Sequence, residues 1–184
     1  MKLADAKLLA DKVIAVLEPF CERIEIAGSI RRGRAEVGDV DIVAMPKSLD
    51  LPGALGGTAH LTDSQVWAEK FTTVLWKKMA AILEERGQEL IRCSIPCKDG
   101  LFQVDIYRAR PETWGVILLV RTGSREHNVK LCSLARSKGL MLSAAQGVVS
   151  CGGTGGVVAC RTEEEIFAAL GLGFVEPKNR EVPW

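Results

Sequence analysis

The stretch IAGSIRRGRAEVGDVDIV, residues 26–43, decides how the whole chain is interpreted. A short apolar segment runs into a Gly-Ser turn, a basic loop follows, and the next segment alternates apolar residues with Asp39 and Asp41. Alternating residues of a strand point to opposite faces of a sheet, so the two aspartates share one face with Cα atoms about 6.7 Å apart. Such a pair is suited to binding divalent cations from one side.

A third carboxylate is predicted on a neighbouring strand. Residues 89–96 and 100–108 form a candidate hairpin around Asp99-Gly100, and the second strand turns its apolar residues to the core and Asp105 away from it. Three carboxylates brought together are costly unless a cation neutralises them, and two cations about 4 Å apart can clamp a phosphoryl transfer. The alternative is that all three are ordinary solvent-facing residues, which the poor strand propensity of aspartate disfavours.

The residues around this pair are suited to binding phosphate. The turn at Gly28 and Ser29 offers backbone N–H groups and a hydroxyl, and Arg32 adds a charged fork. Gly38, directly before the first aspartate, allows a phosphate to approach the backbone. Arg31 and Arg34 are expected to be solvated charges.

The rest of the chain alternates helical and strand patterns. The patterns predict helices at 1–18, 64–86, 113–120 and 124–138, a strand at 23–27, a surface loop at 46–63, short strands within 141–160, and a helix from 162 to about 170. Trp67 and Phe71 belong to the apolar stripe of the second helix and are expected in the core. Ser124 and Thr162 are predicted N-caps.

Composition limits the function classes. The chain has 184 residues, of which 24 are basic and 23 acidic, so a strongly basic surface is absent overall. Six cysteines without a CxxC pair argue against a zinc site and a disulfide framework. Neither a signal peptide nor a membrane helix is indicated, so we expect a cytoplasmic protein.

The ordered motifs resemble those of a known family. Gly28-Ser29 followed by Asp39-Val-Asp41 is similar to the signature of the nucleotidyltransferase superfamily, and the fuller run resembles the family X DNA polymerases in particular. Further matching segments are Val104-Asp105-Ile106, Thr122-Gly123-Ser124, Glu126-His127-Asn128 and Lys138-Gly139-Leu140. The likeness covers nearly the whole chain.

The resemblance implies an α+β fold. A nucleotidyltransferase palm, a mixed sheet with helices on one face, would occupy residues 1–110, and a small α+β C-terminal thumb domain that selects nucleotides would occupy residues 111–184. The activity that the resemblance implies is the addition of deoxynucleotides from dNTPs to a primer 3′-hydroxyl, on gapped or nicked DNA in repair. It also implies that the chain acts as a monomer and does not associate with a membrane.

The resemblance also implies site roles. Asp39, Asp41 and Asp105 would bind two Mg²⁺ ions, with Mn²⁺ as a substitute, and Asp105 would lie beside the primer hydroxyl and accept its proton. The positions that match triphosphate-binding residues are Gly28, Ser29, Arg32 and Gly38. Gly123 and Asn128 match positions near the sugar and base of the incoming nucleotide.

The chain departs from its apparent relatives in three ways. Val120-Arg121 replaces an aromatic pair that stacks under the sugar, and Cys132 stands where many members have an arginine that touches the template. Neither a helix-hairpin-helix module nor a lyase domain precedes the palm, so 5′-deoxyribose-phosphate lyase activity is expected to be absent. DNA binding is therefore expected to be weak and sensitive to salt.

Two other functions fit the same residues. The chain could transfer nucleotides to RNA, a protein or a small molecule, as other members of the superfamily do, although the C-terminal likeness argues against it. A non-catalytic nucleotide- or nucleic-acid-binding module ranks last, because all three aspartates are present.

Overall fold

The structure, a computed structural model, describes residues 1–47, 63–151 and 156–181. The helices are α1 Leu3–Leu17, α2 Gly28–Arg31, α3 Asp63–Met79, α4 Trp114–Thr122, α5 Arg125–Ser137 and α6 Glu163–Ala169. The strands are β1 Cys21–Ile26, β2 Val40–Pro46, β3 Ile82–Arg86, β4 Leu90–Cys97, β5 Gly100–Arg108, β6 Leu140–Ser143, β7 Gly147–Ser150 and β8 Val157–Ala159. Two 3₁₀ turns cover Glu18–Phe20 and Pro177–Asn179.

The first five strands form one mixed sheet in the order β1-β2-β5-β4-β3. Only β2 and β5 run parallel within it, and the other neighbours are antiparallel. The last three strands form a separate antiparallel sheet in the order β6-β7-β8. The prediction of an α+β fold built on a mixed sheet is therefore confirmed.

Helices α1 and α3 cover one face of the large sheet. Residues of α1 at helical spacing are buried there, among them Leu9, Val13 and Leu17, because a stripe that repeats every three to four residues faces one side. Trp67 and Phe71 of α3 pack edge to face with ring centroids 5.3 Å apart. Their predicted place in the core is confirmed.

The C-terminal elements have a core of their own. Buried residues of α4, α5, α6 and the small sheet form one apolar cluster. A second, smaller cluster joins this part to the uncovered face of the large sheet through residues such as Val43, Tyr107 and Trp114. The predicted N-caps are confirmed, since Ser124 Oγ accepts from His127 N at 3.3 Å and Thr162 Oγ1 accepts from Glu165 N at 3.1 Å.

The predicted helix 64–86 is wrong in its last third. Helix α3 ends at Met79, Ala80 takes a positive φ of 51°, and the chain continues as β3. Ile82 and Leu83, which a helix over 64–86 would place on its buried apolar stripe, are 51% and 46% exposed. Pairing with β4, a contact distant in sequence, decides the conformation of this segment where local periodicity indicated a helix.

Several other expectations concern segments with little or no description. Residues 48–62, most of the predicted 46–63 loop, and residues 152–155, at the predicted hairpin tip, lie outside the described residues.

All six cysteines are free thiols. None of the helices in the described part of the chain is both long and apolar enough to span a membrane.

Candidate active site

Three aspartates converge on the sheet face opposite α1 and α3. Asp41 on β2 and Asp105 on β5 are direct neighbours in the parallel pair, and Asp39 lies one residue before β2. One carboxylate oxygen of each lies within 4.8 Å of the others. This geometry offers hard oxygen ligands to a divalent cation.

The carboxylate of Asp105 is held from several sides. Arg92 forms a two-pronged contact, with Nε donating to Oδ1 at 2.8 Å and an Nη donating to Oδ2 at 2.7 Å. Gln103 Nε2 donates to Oδ1, and the Tyr107 hydroxyl donates to Oδ2, both at 3.1 Å. Asp105 is 2% exposed, so these contacts replace the water that burial removes.

The electrostatics of the cluster favour a bound cation. Burial, together with the charges of Asp39 and Asp105, raises the pKa of Asp41 to about 7. Burial and the charge of Asp105 also raise the pKa of Asp39. The hydrogen bonds and charge of Asp105 raise the pKa of Arg92. Desolvation and mutual repulsion thus disfavour full ionisation of the two aspartates, and a cation would relieve both effects.

The turn before the cluster approaches Asp41 closely. Gly28 has a φ of +60°, and a Cβ atom there would lie 2.0 Å from Asp41 Oδ2, so only glycine fits without displacing the carboxylate. The adjacent Ser29 Oγ is buried and has no hydrogen-bond partner among the described residues. A buried hydroxyl of this kind usually has a partner, so it marks a place for a polar ligand.

The other two predicted phosphate-binding residues differ in their surroundings. Arg32 donates to the backbone oxygen of Thr122 and, at 2.5 Å, to the carboxylate of Glu181, so in this structure it binds the C-terminal part of the chain. Gly38 is exposed, and a Cβ there would meet nothing within 4 Å. An anion at Arg32 would have to compete with Glu181.

A groove of about 550 Å³ brings together most of the remaining candidate residues. Its lining includes Arg32, Val120, Arg121, Gly123, Arg125, Asn128, Cys132 and Arg136. Asn128 Nδ2 donates to the backbone oxygen of Val120 at 2.8 Å, and the guanidinium of Arg121 lies 4.0 Å from the ring centroid of Tyr107. The predicted sugar and base contacts therefore share one arginine-rich groove with Val120, Arg121 and Cys132, the residues at which the chain departs from the expected pattern.

The expectation that Arg31 is a solvated charge is wrong. Its guanidinium donates to both carboxylate oxygens of Glu163, at 3.0 and 2.7 Å, and to Thr122 Oγ1 at 2.8 Å. Glu163 also accepts from the fully buried Arg180 at 2.6 Å. The segment that follows the Gly-Ser turn is thus attached to the C-terminal part of the chain.

Arg92 and Tyr107 are site residues that sequence reasoning missed. The position of Arg92 can be predicted from the hairpin. A turn that pairs Cys97 with Gly100 also pairs the residues five positions further from it on each strand, which are Arg92 and Asp105. Tyr107 lies two residues after Asp105 on β5, so strand alternation predicts the same face for both, but no sequence pattern indicates a role for it. For Glu163 and Arg180 no sequence signal was available, because the contact joins segments far apart in the chain.

Comparisons with known proteins agree with this arrangement. The DNA polymerase beta thumb family matches residues 117–181. DNA polymerase lambda of Rattus norvegicus is 31% identical over 169 residues, an alignment that covers 84% of this chain and 28% of that protein. The chain therefore spans less than a third of the length of this curated relative.

Solved structures show the same fold. A ternary P/T complex of Leishmania infantum polymerase beta matches with a TM-score of 0.77 at 22% identity, covering 100% of this chain and 77% of that one. A ternary gap complex of the same polymerase matches with a TM-score of 0.77 at 21% identity, covering 99% and 71%. At these identities the solved structures show a shared fold, and the thumb match together with the alignment to DNA polymerase lambda supports a family X polymerase.

Proposed function

We propose that this chain is a DNA polymerase, or the catalytic part of one, that adds deoxynucleotides from dNTPs to the 3′-hydroxyl of a primer. The observation that carries the proposal is the convergence of Asp39, Asp41 and Asp105 on one sheet face in a chain similar to family X polymerases. Gapped or nicked DNA in repair is the proposed substrate. Similarity to this family and the arginine-rich groove favour a nucleic acid over other acceptors.

The three carboxylates would hold two divalent cations, Mg²⁺ or in its place Mn²⁺. Bound cations would lower the pKa of the primer hydroxyl and neutralise charge on the triphosphate. Asp39 and Asp41 project from one strand end and would ligate from the same side. Asp105, on the neighbouring strand, would face the primer hydroxyl and accept its proton.

The Gly-Ser turn would bind the triphosphate. The unpartnered hydroxyl of Ser29 can donate to a phosphate oxygen, and Gly28 keeps the backbone close to Asp41. Arg32 would exchange its contact with Glu181 for a phosphate, a charge-assisted bond of the same kind. Gly38 leaves open space beside the aspartates.

The groove would take the sugar and base of the incoming nucleotide. Gly123 lines it, and a Cβ there would lie 3.0 Å from a guanidinium nitrogen of Arg32. Asn128 is fixed by its bond to Val120 O and so presents a constant polar surface. Arg121 occupies a position where relatives are expected to have an aromatic residue, and its guanidinium covers the ring of Tyr107. Selection between ribose and deoxyribose would therefore differ from that of the relatives.

The same proposal extends to organisation and location. The two large apolar clusters support a palm at 1–110 and a thumb at 111–184, joined by the third cluster. A monomer that acts on DNA inside the cell is the simplest arrangement.

Primer extension with Mg²⁺ tests the function. Wild type should extend primers on gapped or nicked DNA, and Asp105→Asn should lower kcat by roughly 10³-fold or more, because a ligand and the proton acceptor are lost. Asp99→Asn, an exposed aspartate on the hairpin turn of the same strand pair, is the matched control and should extend like wild type. Equal extension by wild type and Asp105→Asn would contradict the proposal.

The choice of acceptor and sugar needs a second comparison. Extension should be measured on matched gapped, nicked and single-stranded DNA, with deoxy- and ribonucleoside triphosphates. Strong labelling of RNA, protein or a small molecule without primer extension would instead identify a nucleotidyltransferase with another acceptor.

A further inference from the structure

Four charged residues lie in one row across the large sheet. Glu85 on β3 is the cross-strand partner of Arg92 on β4, Arg92 is the partner of Asp105 on β5, and Asp105 is the partner of Asp41 on β2. Cross-strand partners are close neighbours in a sheet, so their charges interact. Arg92 is the only cation in this row of four, and acidic residues flank it on both sides.

The carboxylate of Asp105 has no acceptor position to spare. An ionised carboxylate offers about four lone-pair sites. Arg92 and Gln103 donate to Oδ1, and Arg92 and Tyr107 donate to Oδ2, which makes two donors for each oxygen. Asp105 can ligate a cation only if at least one of these donors withdraws.

Arg92 is the donor best placed to withdraw. Its side chain is 36% exposed, whereas Tyr107 is buried and covered by the guanidinium of Arg121. Gln103 is neutral, so a cation beside Asp105 would not repel it. The guanidinium carries a full positive charge 2.7 to 2.8 Å from the oxygens that the cation would take, so repulsion acts on Arg92 alone.

We propose that Arg92 is a displaceable counter-ion of Asp105, which holds this carboxylate in place before the metal binds and must release it for the second divalent cation. Glu85, its partner on the other side, receives the guanidinium. Arg92 is paired with Asp105 at 2.7 Å, whereas no ion pair within the described part of the chain joins an arginine to Asp39 or Asp41, so these two carboxylates load first. Arg92 is thus a positioning residue, and the inference rests on the proposed metal-dependent function.

Manganese binding to the whole chain, without DNA or nucleotide, tests the displacement. Mn²⁺ titrations followed by electron paramagnetic resonance give the number of ions and their Kd. Arg92→Gln should bind the second ion on the order of tenfold more tightly, because no cation has to leave. Arg92→Lys keeps the charge without the two-pronged contact and should fall between wild type and Arg92→Gln.

Arg86→Gln is the matched control, since it removes one exposed arginine from the neighbouring β3. Its Kd should stay within about twofold of wild type, as expected for a solvated charge. Urea unfolding of each variant shows whether the fold is retained. Equal Mn²⁺ affinities for Arg92→Gln and Arg86→Gln, or no Mn²⁺ binding by any of these proteins, would overturn the proposal.

Nuclear magnetic resonance observes the release itself. The Nε–H signal of Arg92, assigned by its loss in Arg92→Lys, should be protected from exchange without metal and lose this protection as Mg²⁺ saturates the site. Glu85→Gln should weaken the second Mn²⁺ site severalfold, because the released guanidinium loses its acceptor. Protection that persists at saturating Mg²⁺ would rule out displacement.

Primer extension on the same samples separates this inference from the proposed function. If wild type extends primers but Arg92→Gln binds Mn²⁺ with the affinity of wild type, the proposed role of Arg92 is wrong and the polymerase assignment stands. If Arg92→Gln binds the second Mn²⁺ ion more tightly than wild type but wild type extends no primer, the role of Arg92 stands and the polymerase assignment is wrong.

Discussion

Arg31 and Glu163 form a two-pronged ion pair, with donor-to-acceptor distances of 3.0 and 2.7 Å, between helix α2, which begins at the Gly-Ser turn, and helix α6. Glu163 is 4% exposed and also pairs with the fully buried Arg180. Burial would raise the pKa of Glu163, but donation from Arg31 and Arg180 brings it below its ordinary value. This carboxylate therefore connects the two halves of the chain.

Removing the Glu163 charge should destabilise the protein. Glu163→Gln leaves two arginines without their counter-ion, one of them fully buried, so the free energy of unfolding should fall by about 3–5 kcal/mol. Urea unfolding at pH 7.5 measures it. Glu164→Gln, one residue along the same helix and exposed, should change it by less than about 0.5 kcal/mol. Similar values for the two variants would show that the buried network contributes little.

Adding one methyl group at Gly28 should disrupt the site. In Gly28→Ala the new Cβ would overlap Asp41 Oδ2, so we expect a loss of about 2 kcal/mol or more and much weaker Mn²⁺ binding. Gly33→Ala separates strain from overlap, because Gly33 has a φ of +75° with nothing within 4 Å of its Cβ position. It should cost about 1 kcal/mol and leave Mn²⁺ binding intact.

The three aspartates should cost stability when no metal is present. The pKa of Asp41 rises to about 7 on folding, so the folded chain binds more protons than the unfolded one between pH 3.8 and 7, and stability falls as the pH rises through this window. Asp41→Asn in EDTA at pH 8 should therefore raise the free energy of unfolding by about 1–3 kcal/mol.

Two comparisons check the origin of that gain. It should shrink as the pH is lowered towards 4, and it should shrink when Mg²⁺ is added to wild type. Asp11→Asn, an exposed aspartate on α1, should show no such gain. A gain that is independent of both pH and metal would point to packing instead of charge.

His127 should give the opposite pH dependence. Burial, with a smaller effect of the Arg180 charge, lowers its pKa to about 4. The unfolded chain then binds the extra proton between pH 6.5 and 4, so this stability is complete above pH 6.5 and is lost as the pH falls towards 4, by up to about 3 kcal/mol. His127→Gln should flatten that part of the curve, and an unchanged slope would contradict the assignment.

Arg136 should contribute to DNA affinity without sequence preference. It lines the arginine-rich groove, so Arg136→Gln should weaken binding of gapped DNA severalfold and lower the salt slope by about one ion. Binding isotherms at three or more salt concentrations measure both quantities. Lys12→Gln, on helix α1 and thus on the other side of the sheet, should leave the salt slope unchanged. If Lys12→Gln and Arg136→Gln lower the DNA affinity and the salt slope equally, the groove does not hold DNA.

Local patterns predicted most of the elements that position the site. Alternation along residues 39–42 and 102–106 placed the three aspartates on one face, because side chains of a strand alternate with a period of two. The caps at Ser124 and Thr162 were predictable because the capping hydrogen bond joins two residues only three positions apart in the sequence. These predictions needed no knowledge of the neighbouring segments.

The errors arose where a distant segment decides the outcome. Residues 82–86 continue an apolar helical pattern, but pairing with β4 makes them a strand. Arg31 looked solvated because its partner, Glu163, is 132 residues away. A single sequence shows which side chains are charged or apolar, but it does not show which of them meet.

The sequence by itself determined the chemistry of this protein: acidic residues at strand spacing, a Gly-Ser turn, and an ordered set of motifs that resembles one family. Tertiary structure alone decided which partners the charged side chains have. It put Arg92 on both oxygens of Asp105, Arg32 on Glu181 and Arg31 on Glu163. The reason is physical, because residue type and local spacing set what a side chain can bind, whereas strand register and domain packing set what it does bind.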